Sequence, residues 1–284
     1  MERPAGGDVV ALEDGLRGAM SGFVRDDPGN HFPDGVERYF DEPLVGVAAA
    51  SDPLFVEYRR IIGPFHRTPG EILEGAVSVV CWALPIRAST RRSNRLELTL
   101  PSLPWARTRT FGEAFNSALR RHVVAWLASR GHASVAPLLA PDWRQLDDTP
   151  VGIASTWSER HAAYAAGLGT FSLNDALITA AGIAHRLGSV VTTAPLAPTS
   201  DGRPGVRDHC LFYDDGACRA CIERCPADAI TEAGHDKALC SAYLEAIKPA
   251  VVGPYGTAIP GCGLCQVRVP CEHRIPGRRG AGTS

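Results

Sequence analysis

The sequence lacks any run of about 18 uncharged apolar residues, so no membrane-spanning helix is expected. Its first residues, MERPAGGDVVALEDG, show no basic stretch followed by an apolar one, so no secretory signal is expected either. The net charge is only −2, which excludes the global positive field that recruits nucleic acid. Cysteine is nearly missing from the first 209 residues, where Cys81 stands alone. These absences point to a cytoplasmic chain whose thiols stay reduced. What is present then stands out: eight of the nine cysteines fall between Cys210 and Cys271. In a reducing compartment such crowding favours metal over disulfides.

At 284 residues, 45% hydrophobic and 21% charged, the chain can form one large or two modest globular domains. Residues 1–70 read as helical and irregular, punctuated by prolines. Ala76 to Leu84 form a β-branched, apolar run that reads as a buried strand, with Cys81 as a small core residue. Residues 86–109 are polar and arginine-rich and read as a long loop. Thr110 with Glu113 forms a capping-box pattern, followed by Phe111, Phe115, Leu119, Val123 and Leu127 on one helical face up to Gly131. Thr156 with Glu159 suggests a second capped helix, ending at Gly167-Leu168-Gly169. Residues 176–180 and 188–193 read as further strands. The alternation predicts a layered α/β (α+β) domain over 1–200, then a Pro/Gly-rich linker at 195–209 and a cysteine-rich domain over 201–284.

The cysteine spacing is Cys210-x7-Cys218-x2-Cys221-x3-Cys225-Pro226, then Cys240, then Cys262-x2-Cys265-x5-Cys271. Bacterial two-cluster ferredoxins use C-x2-C-x2-C-x3-C-P, with the fourth cysteine serving the other cluster. Cys218, Cys221, Cys225 and Pro226 keep that pattern. Two [4Fe–4S] clusters in a ferredoxin-like domain follow. By the crossover rule one takes Cys210, Cys218, Cys221 and Cys271, the other Cys225, Cys240, Cys262 and Cys265. The rival is zinc on the two C-x2-C pairs, which leaves four cysteines and Pro226 without a role.

With these motifs in view, the sequence resembles the epoxyqueuosine reductase-like group, related to reductive dehalogenases. The resemblance spans about residues 70–271. It is carried by the Ala76–Pro85 run, Glu159-Arg160, Ala166-Gly167-Leu168-Gly169, Asn174, the Leu187–Thr192 run and the cysteine module. It implies a corrinoid-binding first domain, electron flow through both clusters to cobalamin, and reduction of a substrate by the reduced cobalt. It also implies Gly167, Gly169, Asn174, Gly188 and Ser189 as corrinoid-contacting residues. The electron donor would be a ferredoxin or flavodoxin, and the substrate a small molecule.

The sequence departs from the family's pattern at three places. The position of the family's aspartate proton donor is Ile153, with Ser155 and Thr156 nearby. The family's loop lysine is missing from Phe171-Ser172-Leu173-Asn174. The given chain ends 13 residues after Cys271, without the helical extension of many tRNA-acting members. A tRNA substrate is therefore not expected. His161 and Tyr164, i and i+3 on the second capped helix, are the candidate proton donors. Glu159 reads as a helix cap. His185 and Arg186 could meet corrin side chains, and His209 could touch a cluster. The arginines between 87 and 121 form a basic stretch that reads as a solvated face or a docking site for an acidic donor. The other function class is a non-catalytic electron carrier, for which the large first domain would be superfluous.

Overall fold

The structure is a computed structural model that describes residues 6–199 and 202–277. In chain order the main elements are α1 (Gly6–Asp26), β1 (Leu44–Ala49), α2 (Leu54–Ile61), β2 (Ser78–Pro85), α3 (Ala88–Arg95), α4 (Leu103–Arg107), α5 (Glu113–Ala128), β3 (Ser134–Val135), α6 (Glu159–Ala165), β4 (Gly169–Phe171), β5 (Leu177–Thr179), β6 (His185–Thr192), α7 (Leu211–Asp215), α8 (Ala220–Glu223) and α9 (Lys237–Tyr255). One antiparallel sheet, ordered β1-β2-β6-β3, forms the centre.

The apolar run predicted as a strand is β2, and its alternation builds two cores. Val80, Trp82 and Leu84 face α1 and α5, where Leu16, Met20, Phe115, Leu119, Val123 and Leu127 are buried. Val79, Cys81 and Ala83 face the opposite core, with Phe55, Tyr58, Trp157, Ala162 and Ala163. Successive strand residues point to opposite faces, so a strand covered on both sides must be apolar throughout. Cys81 is fully buried there, as expected of a core cysteine.

Several local expectations are corrected. The stretch 1–70 contains β1, an edge strand paired with β2 along Leu44–Ala49. The supposed loop 86–109 carries α3 and α4. Helix α3 has no apolar stripe. It is held by polar contacts: the Asn94 side chain accepts from the Ser102 amide and donates to the Cys262 carbonyl. Neither capping box forms. Thr110 lies inside a π-helical turn, and the helix after it starts from Gly112. At α6 the cap is Ser158, while the Thr156 hydroxyl accepts from the Arg144 amide. Gly167, at φ +72°, ends α6 as foreseen, its amide bonding back to the Tyr164 carbonyl.

The boundary expected between 200 and 201 lies outside the described residues. On either side of it the chain is tied to the first layer. The Thr199 hydroxyl accepts from the Val47 amide, Arg203 pairs with Asp52, and the Phe171 amide donates to the Val206 carbonyl. The cysteine-rich segment and the β4–β5 hairpin share a third core of Leu173, Ile178, Ile183, Cys210, Ile230 and Val269. Among the described residues, no helix is long and apolar enough to cross a membrane.

Candidate functional site

The eight clustered cysteines gather in two groups. Cys210, Cys218, Cys221 and Cys271 line one small cavity, closed by Ile178, Ile183, Phe212 and Val269. Burial and the neighbouring Cys210 and Cys218 push the Cys221 thiol up to about 12. Burial and the same partners, with Cys221, raise Cys271. Burial raises the Cys265 thiol, and Cys262, Cys225 and Cys240 beside it raise it further, with Cys221 of the first group contributing least. Burial, with Cys240 and Cys225 beside it, pushes Cys262 up to about 11. Cys225 thus leaves the C-x2-C-x3-C run for the second group, and Cys271 returns to the first. Each group is a four-thiol, soft donor set, which suits an iron–sulfur cluster. Among the described residues, no three His, Cys, Asp or Glu are placed to hold a single metal ion.

The walls of this region come from both halves of the chain. The Asn174 side chain accepts from the Ala176 amide and donates to the Cys265 carbonyl. The Cys271 carbonyl accepts from Ile183. Glu272, with a side chain only 1% exposed, takes Arg91 and Arg95 from α3. Part of the basic stretch is thus tied into the fold. Arg87 pairs with Asp41, and Arg120 is buried between Glu113 and Glu159.

A larger cavity of about 390 Å³ opens beside the first cysteine group, and Ser172 lines both. His161 and Tyr164 are on its wall, as are Ile153 and Ser155. The His161 ring sits between Tyr58 and Phe171, with Nδ1 2.8 Å from the Ser158 hydroxyl. Burial, aided by Arg160, lowers His161 to about 3, so its imidazole is neutral at pH 7. Tyr164 donates its hydroxyl to the Pro204 carbonyl at 3.1 Å. Four further ionisable groups share the wall and were missed in the sequence: Asp175, Arg207, His235 and Lys237. Asp175 sits at φ +62°, 3.6 Å from His235 Nδ1. Burial opposes a charge on His235, but Asp175 and Cys240 outweigh it and push the imidazole up to about 9. Only the turn-prone Asn174-Asp175 pair gave any local signal at these positions.

A second cavity, of about 280 Å³, adjoins the first through Ser155, Ser158 and Arg160. Glu113, Arg120, Glu159, His185 and Arg186 line it. His185 is buried, with Nε2 2.8 Å from the Leu177 carbonyl and Nδ1 without a partner. Glu159 Oε2 is likewise unpartnered, so Glu159 serves a buried network rather than a cap. His209 reaches the Ile178 carbonyl through Nδ1.

Of the five residues expected to contact a corrinoid, none lines either of these cavities. A Cβ at Gly169 would stand 2.2 Å from the Ile178 carbonyl oxygen, and one at Gly188 2.3 Å from the Trp82 indole. The Ser189 hydroxyl accepts from Trp157 Nε1. Gly167 terminates α6, and Asn174 clamps the cysteine loop. The fold itself uses all five. Ser155, Ser158, His185 and Arg186 line the second cavity and could also meet a corrinoid. Ser155, Ser158 and Arg186 can donate to the amide carbonyls of such a ring, while the orphaned His185 Nδ1, with the Nε2 hydrogen given to the Leu177 carbonyl, can accept from an amide N–H.

No protein-family model matches the chain. It is 28% identical over 221 residues to the epoxyqueuosine reductase of Synechococcus sp. (strain CC9605), covering 74% of this chain and 60% of that one. This chain resembles the epoxyqueuosine reductases. A second such enzyme, from Leadbetterella byssophila, is 33% identical over 129 residues, covering 43% of this chain and 37% of the other. A solved epoxyqueuosine reductase superposes with a TM-score of 0.53 at 19% identity, over 93% of this chain and 66% of that one. At that identity the superposition bears on the fold, and it agrees with the mixed α/β architecture. The chain spans about 60% of the length of the Synechococcus relative.

Proposed function

We propose that this chain is an iron–sulfur oxidoreductase that reduces a small molecule in the 390 Å³ cavity. Cys210, Cys218, Cys221 and Cys271 would hold one [4Fe–4S] cluster; Cys225, Cys240, Cys262 and Cys265 would hold the other. A corrinoid would be the second cofactor, met by Ser155, Ser158, His185 and Arg186, and a ferredoxin or flavodoxin the electron donor. The observation that carries the reading is the sorting of eight cysteines into two four-thiol sets, one sharing Ser172 with the large cavity.

When bound, the clusters supply one-electron transfer and the corrinoid a strongly reducing cobalt. The chain's own residues do the rest. Ile178, Ile183, Phe212 and Val269 keep water from the first thiol set. Arg224 lies near Cys262 and Cys265 and donates to the Leu264, Glu97 and Asn94 carbonyls, fixing the second set against α3. Neutral His161 can donate a hydrogen bond at the cavity wall but carries no spare proton at pH 7. Tyr164 Oη holds its proton toward Pro204 and would have to turn to release it. Ile153, at the position of the family's acid, offers none.

Anaerobic protein should carry about eight irons with matching sulfide. Cys271→Ala and Cys225→Ala should each remove about four of them. Zinc in place of iron, or iron content unmoved by both substitutions, would overturn the reading. Added cobalamin should shift its visible spectrum on binding; an unchanged spectrum would remove the corrinoid from it.

A further inference from the structure

The charges around the 390 Å³ cavity are unbalanced. Arg160, Arg207 and Lys237 line it, against the single carboxylate of Asp175. That carboxylate already sits beside His235. The Arg160 guanidinium donates to the Asp175 backbone carbonyl at 2.6 Å. Lys237 Nζ donates to the Val151 and Ile153 carbonyls, both at 3.1 Å. Among the described residues, neither Arg160 nor Lys237 has a carboxylate at salt-bridge distance: Asp175 acts on both only from farther away and is shared with His235. Cations drawn out of water without a counter-ion are costly, and a bound anion removes that cost. The rim is apolar: Ile61, Val151 and Val206 are among the exposed large hydrophobic residues, and all three line this opening.

We propose that the cavity binds a small organic anion, a carboxylate or phosphate on an apolar body, with Arg160 and Lys237 meeting the anionic group. This rests on the reading of the cavity as the reductase's substrate site and names the class of substrate it takes. Two sources share the chemistry: the substrate's own anion, or the phosphodiester in the nucleotide tail of a corrinoid.

The test is calorimetric titration of the anaerobic holoprotein with benzoate and with its neutral isostere benzamide. Benzoate should bind at least about tenfold more tightly. Arg160→Gln and Lys237→Gln should each shrink that ratio toward one, while Asp175→Asn should enlarge it. Iron content and thermal melting of each variant establish that it is folded and loaded. Cobalamin and cobinamide, which lacks the phosphodiester, separate the sources. An Arg160→Gln defect confined to cobalamin assigns the anion to the tail, and equal titres assign it to the substrate; either upholds the anion site. Equal affinities for benzoate and benzamide, no benzoate binding, or a ratio that survives both cation substitutions would overturn it. The heat of binding needs no electron transfer. Failure here with eight irons present leaves the iron–sulfur reading intact, and anion binding by iron-free protein separates the two in the other direction.

Discussion

Arg120→Met tests whether the floor of the second cavity is a buried ion network. Arg120 has a side chain 1% exposed. Its guanidinium donates to Glu113 Oε1 at 2.9 Å, to Glu159 Oε1 at 3.3 Å and to the Leu187 carbonyl at 2.9 Å. Methionine fills similar space but leaves one carboxylate without its main cation. Glu113 keeps Arg186 at 2.7 Å. Glu159 keeps no cation, only the neighbouring Ser189 hydroxyl. Removing one member of a buried ion pair costs about 3–5 kcal/mol. The loss should grow with pH. Burial raises the Glu159 carboxyl above its ordinary value even against Arg120, and losing that cation raises it further. The unfolded chain then releases this proton at lower pH than the native one. Above the unfolded value stability falls as pH rises, by up to about 1.4 kcal/mol per unit. Urea unfolding at pH 5 and pH 8, in the same iron state as wild type, reads both effects. A loss below about 1 kcal/mol at pH 8, or no difference between the two pH values, would refute the reasoning.

Gly188→Ala should destabilise the protein by about 1–3 kcal/mol in thermal melts, because the added methyl meets a Trp82 indole pinned to Asn116 Oδ1 at 2.9 Å. A melt unchanged from wild type would show that the indole can yield. Acid should weaken the fold through two buried histidines. Burial, helped by Arg59, lowers His66 to about 4, and burial, helped by Arg160, lowers His161 to about 3. In the unfolded chain both titrate near 6.5, so their contribution is intact above that value. It is lost as pH falls from about 6.5 toward 3–4, at up to about 1.4 kcal/mol per unit for each histidine. His66→Phe with His161→Phe should flatten unfolding curves taken between pH 7 and pH 5, and an unchanged slope would count against the assignment.

Local sequence carried much of this protein. The β2 run is legible because a strand covered on both faces must be apolar at every position, and the α5 face because its period matches a helix. Helix α3 was illegible for the complementary reason. ASTRRSNR has no apolar period, and what orders it is Glu272 and Cys262, more than 160 positions away. At Gly169, Gly188 and Ser189, which the resemblance implied as corrinoid contacts, the structure shows close packing, since small residues in a motif also mark positions where chain and side chains approach closely.

By itself, the sequence set eight clustered cysteines apart from the lone one in the core, and their spacing suggested two interleaved sets of four. It determined that His161 and Tyr164 share a helical face. Only the tertiary structure decided what surrounds them. Arg160, Asp175, His235 and Lys237 lie on different elements, and no periodicity links them. Their charges meet because the β4–β5 hairpin and the start of α9 close over α6. Which cations then go unpaired is a property of that enclosure, because the cost of a charge depends on the water and counter-ions the fold leaves around it.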